Sequence, residues 1–63
     1  MYKFRVVEQQ QYLTGWLAGM TVEGGFPLCS PTDYKVDEEV GKVRTSCGTK
    51  AKYRVVSARI VAL

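Results

Sequence analysis

Three short runs in this chain alternate apolar residues with cations: Tyr2-Lys3-Phe4-Arg5-Val6, Gly41-Lys42-Val43-Arg44-Thr45 and Ala51-Lys52-Tyr53-Arg54-Val55. A β-strand sends successive side chains to opposite faces, so each run has one mostly apolar face to bury and one charged face to leave in water. Wound into a helix, the same residues would be spread around its circumference. The pattern therefore asks for a sheet with one covered face. If the three strands share that sheet, Lys3, Arg5, Lys42, Arg44, Lys52 and Arg54 form one basic surface.

Reading along the chain, the alternation of Tyr2 to Val7 assigns Tyr2, Phe4 and Val6 to the core. Glu8 to Gln11 is polar and either continues this strand or connects it to the next. Leu13 to Glu23 is the second apolar segment, read as a bent or bulged strand because Gly15 and Gly19 weaken it as a helix. Gly24-Gly25 is expected to end it, and Phe26-Pro27 to open a connection. Ser30-Pro31-Thr32-Asp33 is a helix start, with Ser as N-cap and Pro at the first position. Gly41 is an acceptable stop. A short helix over about 31–40 follows, with Val36 and Val40 toward the sheet, although Asp37, Glu38 and Glu39 sit at the end where the helix dipole disfavours acids.

Lys42–Cys47 and Lys52–Ala62 read as two strands joined by Gly48-Thr49-Lys50-Ala51. The last strand changes phase between Val55 and Ala58, so a bulge near Ser57 is expected. The fold class that results is α+β and mainly β: a single small domain, 1–63, with an antiparallel sheet of three to four strands and one short helix. The alternative is an all-β small barrel. The expected core is Phe4, Val6, Leu13, Trp16, Leu17, Met20, Val22, Phe26, Val43, Tyr53, Val55, Ile60 and Val61.

At 63 residues the chain has marginal means to stabilise itself, which leaves a homodimer open. The net charge is only +3, but from Val40 to Leu63 there are six cations and no acid. Such asymmetry speaks to partners and association rates, not to fold. There is no histidine, so the commonest general base and metal ligand is missing, and two cysteines eighteen residues apart do not make a zinc site. No glycine-rich phosphate loop or twelve-residue calcium loop occurs. Neither a catalytic residue, a metal ligand nor a cofactor is assigned. Cys29 and Cys47 are expected to be reduced thiols, at least one of them buried, in a cytoplasmic protein with no secretory leader. No apolar run is long enough to span a bilayer, and no membrane partner is expected.

Phe4-x-Val6, Leu17-Ala18-Gly19-Met20-Thr21-Val22-Glu23, Phe26 and the ending Tyr53-Arg54-Val55-Val56-Ser57-Ala58-Arg59-Ile60 resemble a layout seen in short bacteriophage and prophage proteins. The resemblance covers most of the chain as a spacing of strands, and it carries no site motif. It implies a small phage-encoded protein acting in the host cytoplasm. Proteins of this size, anti-CRISPR proteins among them, often bind and block one bacterial machine.

The expected function is thus a non-catalytic binding protein whose partner is a bacterial protein or a protein–nucleic acid complex. Its contact residues would be the six strand cations, Lys50 in the hairpin turn, and Tyr12 and Trp16 as aromatic anchors. The alternative is direct binding of nucleic acid, the basic sheet face contacting phosphates. A structural or assembly subunit is the second alternative.

Overall fold

The computed structural model describes all 63 residues. It is mainly β: four antiparallel strands, β1 (Phe4–Tyr12), β2 (Thr21–Leu28), β3 (Val43–Thr45) and β4 (Lys52–Ala62), in the order β2-β1-β4-β3. The sheet curls into half a barrel, with overall extents of 35 × 22 × 14 Å. A short helical segment lies on the concave side, made of a 3-10 turn, Pro31–Asp33, and one α-helical turn, α1 (Val36–Glu39). Ser30 caps the first turn, its Oγ accepting the Thr32 backbone N–H at 3.3 Å, and Pro31 follows as the start signal requires. α1 starts only at Val36, which puts Asp37, Glu38 and Glu39 in its first turn, where the dipole favours acids, and it ends after that single turn before Gly41, whose φ of +94° suits glycine.

Register decides which residues meet. Along β1 and β4, Phe4 pairs with Ala62, Val6 with Ile60 and Glu8 with Ala58; between Gln9 and Gln10 the register shifts, so that Gln10 meets Val55 and Tyr12 meets Tyr53. Val56 is the extra residue, and this bulge resolves the phase change seen in the sequence by returning Tyr53 and Val55 to the face of Ala58 and Ile60. The concave face therefore gathers Phe4, Val6, Glu8, Gln10 and Tyr12 with Tyr53, Val55, Ala58 and Ile60.

The core is smaller than the sequence suggested. Val6, Leu28 and Tyr34 form its centre, with Phe4, Val36, Ala58 and Ile60 packed around it, and Val55 is fully buried. Leu13, Trp16, Met20, Phe26 and Val43 are exposed, contrary to expectation, as is Val40 on the helical segment. Val43 is exposed because it pairs with Arg54 on the outer face of the sheet, and for Leu13, Trp16 and Met20 the reason is where β2 runs. Residues 13–20 are a turn-rich connection and not a strand, with Gly15 and Gly19 at positive φ, and β2 begins only at Thr21. Gly24-Gly25 does not end that strand but lies within it, paired with Glu8 and Val7, and Phe26-Pro27 continues it. Gly25 lets the backbones close up: a Cβ there would stand 1.8 Å from the Val6 carbonyl oxygen. Both cysteines are free and exposed, so the expectation of a buried thiol fails.

Candidate functional site

Glu8 is the one charged residue in the interior, 1% exposed. Its position follows from strand alternation, since Phe4, Val6 and Glu8 share a face. A buried carboxylate needs donors. Tyr34 Oη donates to Glu8 Oε2, Gln10 Nε2 donates to Oε1 at 2.9 Å, and Arg44 Nη1 reaches both oxygens at 3.0 and 2.8 Å. Arg44 Nη2 also donates to Glu39 Oε1 at 2.6 Å, and Lys42 Nζ donates to Glu39 Oε2. The network joins β1 and β3 to α1 and to Tyr34, which follows the 3-10 turn. Burial by itself raises the Glu8 carboxyl, but its donors, Tyr34 first, outweigh that and hold it below its usual range. Burial and the bond to Glu8 push the Tyr34 hydroxyl up to about 12. Arg44 and Lys42 are consumed holding the fold, one behind the sheet and one at its rim.

That finding divides the predicted basic surface. β3 pairs with β4 so that Val43 meets Arg54 and Arg44 meets Tyr53. Six residues separate the two strands, an even number, so even positions on one strand face odd positions on the other. Lys42 and Arg44 consequently point to the concave side, while Lys52 and Arg54 point to the convex side. The bulge at Val56 then aligns Lys52 and Arg54 with Lys3 and Arg5. Arg59, opposite Val7, belongs to the same face and was not among the residues singled out from the sequence. Its parity relative to Arg5 becomes legible only once the β1–β4 register is known.

The convex face thus carries Lys3, Arg5, Lys52, Arg54 and Arg59, all exposed, with Gln9, Gln11, Thr45 and Ser57 and the valines Val7, Val43 and Val61 between them. The three salt bridges of the molecule involve only Lys42 and Arg44, so these five cations have no acidic partner. Of the acids outside the network, Asp33, Asp37 and Glu38 are on the segment covering the opposite face, and Glu23 alone is on β2.

Tyr12 and Trp16 lie at one end of the half-barrel. Tyr12 packs on Tyr53 with ring centroids 5.5 Å apart. Trp16 is 84% exposed and lines, with Tyr12, Leu17, Thr49 and Ala51, a small apolar crevice of about 40 Å³. Lys50 is at the adjacent turn with a positive φ of 57°. Sequence reading treated Trp16 both as core and as anchor; the structure puts it in solvent. No group of three or more Cys, Asp or Glu side chains is placed to hold a metal ion, and no helix is long and apolar enough to cross a membrane. Compared with known protein families, curated proteins and solved structures, the chain matches none.

Proposed function

We propose that this chain is a non-catalytic binding protein that docks through the convex face of its sheet onto an acidic surface of a bacterial protein or protein–nucleic acid complex and occludes it. The observation that carries this reading is the separation of charge: five cations without partners share an uncovered sheet face with a single acid, Glu23, while the other five acids lie behind the sheet. Such a face steers an acidic partner and accelerates encounter. Trp16, exposed at the end of the molecule, supplies the large apolar contact that charge alone does not give. The phage-inhibitor resemblance is compatible with this mode of action and adds no residue to it.

The test is capture of partners from a bacterial lysate by the tagged wild-type chain and by the Arg5→Glu, Arg54→Glu, Arg59→Glu triple variant, each with and without nuclease. A discrete protein that survives nuclease and is lost with the triple variant supports docking. Identical capture by both chains overturns it.

One observation favours a second reading, in which the face binds nucleic acid directly. With Asp37, Glu38 and Glu39 on the far side of the sheet, nothing there but Glu23 repels phosphate, and the interleaved Gln, Ser and Thr side chains are ordinary phosphate donors. This reading predicts an affinity that falls with salt at a slope of about −0.9 per duplex phosphate contacted.

A further inference from the structure

We propose that the open edge of β2 is a second docking site, which takes an extended basic segment of a partner protein as a fifth strand of the sheet. The sheet has two edges. β3 is three residues long, too short to template a partner. β2 is eight residues long and is paired along one side only, with β1.

Its outward groups follow from the ladder. Tyr12 spends both backbone groups on the β2 side, donating to the Met20 carbonyl and accepting from the Gly19 N–H. Even-numbered β1 residues therefore face β2, and their partners Val22, Gly24 and Phe26 face β1. The N–H and C=O groups of Thr21, Glu23 and Gly25 point away from the sheet. Pro27 offers no N–H, so the usable edge is Thr21–Gly25 with the Pro27 carbonyl beyond it.

Beside this edge, on the concave side, lies an open groove of about 370 Å³, lined by Phe26, Asp33, Tyr34, Lys35, Glu38 and Glu39. Glu39 is already paired with Arg44 and Lys42, and the carboxylates of Asp33 and Glu38, in no ion pair, outnumber the one ammonium, of Lys35. The partly exposed Phe26 ring packs edge-on against Tyr34 at 5.6 Å and forms the wall nearest the strand. A strand added to β2 turns every second side chain to the concave side. Lysine or arginine at those positions would enter the groove, meeting the carboxylates and the face of Phe26. Main-chain bonds to the edge would give affinity and the groove would give sequence preference, the mode known as β-augmentation. A second copy of this chain is a poorer occupant: β2 has no cation to offer, and joining two β2 edges would bring two acidic grooves and two Glu23 side chains together.

The experiment uses the full chain and a fluorescein-labelled, acetylated heptapeptide of alternating lysine and valine, followed by anisotropy. Saturable binding is expected, weakened roughly ten-fold by methylating alternate backbone nitrogens of the peptide, which removes strand donors and keeps the charge. The Asp33→Lys, Glu38→Lys variant, altered only at exposed positions, is expected to weaken it comparably. Equal binding of the methylated and unmethylated peptides overturns the proposal, since charge without strand pairing would then suffice. Absence of binding overturns it too, as does a dimer in sedimentation velocity that the peptide fails to dissociate, because the edge would then belong to a second copy.

Discussion

At the scale of single residues, the Glu8–Arg44 pair is the most consequential contact. Arg44 is 23% exposed and Glu8 is 1% exposed, so removing the guanidinium strands a buried carboxylate. Arg44→Ala is expected to cost about 3 kcal/mol in urea unfolding, a large part of the stability of so small a domain. A cost near zero would mean that the carboxylate finds water. The same site sets the pH limits of the fold. Glu8 has a folded pKa below its reference value of 4.5, so its contribution is present above that value and is lost as pH falls through the folded one. Acidification below about pH 4.5 should therefore destabilise the wild type more steeply than Glu8→Gln, which has no carboxylate to protonate. Tyr34 gives the opposite limb. Its folded pKa is raised from 10.0 to about 12, so its contribution is complete below 10 and disappears as pH climbs toward 12. Ultraviolet titration should show an ionisation near 12 that Tyr34→Phe lacks. The inward position of Glu8 was legible in the alternation Phe4, Val6, Glu8. Its partners were not, because Tyr34 and Arg44 stand 26 and 36 residues away and only the tertiary fold brings them together.

At the scale of elements, parity explains both what the sequence revealed and what it hid. The bulge near Ser57 was legible because Tyr53, Val55, Ala58 and Ile60 cannot share a face in an unbroken strand. The division of the cations was also legible in principle: any connection with an even number of residues between paired strand ends, such as Thr45 and Lys52, sends Lys42 and Arg44 to the face opposite Lys52 and Arg54. It was missed because alternation within each strand was read without the connection between them. The course of β2 was less accessible. Gly24-Gly25 looks like punctuation, and only the approach of the Val6 carbonyl shows why a strand needs glycine there. The two glycines are consequently unequal. A Cβ at Gly24 meets the end of the flexible Gln10 side chain at 2.6 Å, whereas at Gly25 it meets backbone at 1.8 Å, with φ at +152°. Gly25→Ala should cost about 3 kcal/mol or more and Gly24→Ala about 1 kcal/mol, measured by thermal or urea unfolding. Equal costs would place the β1–β2 contact elsewhere.

At the scale of the whole molecule, stability and the proposed function pull against each other. Only 6 of 63 residues are buried, so the folded state has little reserve. Yet five like charges are held on one sheet face, on strands whose neighbours are about 4.8 Å apart. Two electrostatic effects compete as salt is added. Screening weakens the network that ties Glu8 and Glu39 to Arg44 and Lys42, and it also relieves repulsion among Lys3, Arg5, Lys52, Arg54 and Arg59. The first effect is small where it matters most, because Glu8 is out of solvent. The second is large, because exposed charges lose most of their interaction as the Debye length shrinks from about 30 Å at 0.01 M to about 10 Å at 0.1 M. Repulsion should dominate. The melting temperature is therefore expected to rise by a few degrees over that range, and Arg59→Glu, placed among four cations, should raise it at low salt and reduce the salt response. A melting temperature that falls with salt would mean that the ion pairs outweigh the repulsion, and that the convex face stores no charge strain. If the rise is seen, an acidic partner relieves the same repulsion on docking. The cations that cost the free protein stability then become the source of its affinity, and the variant that is most stable alone should bind most weakly.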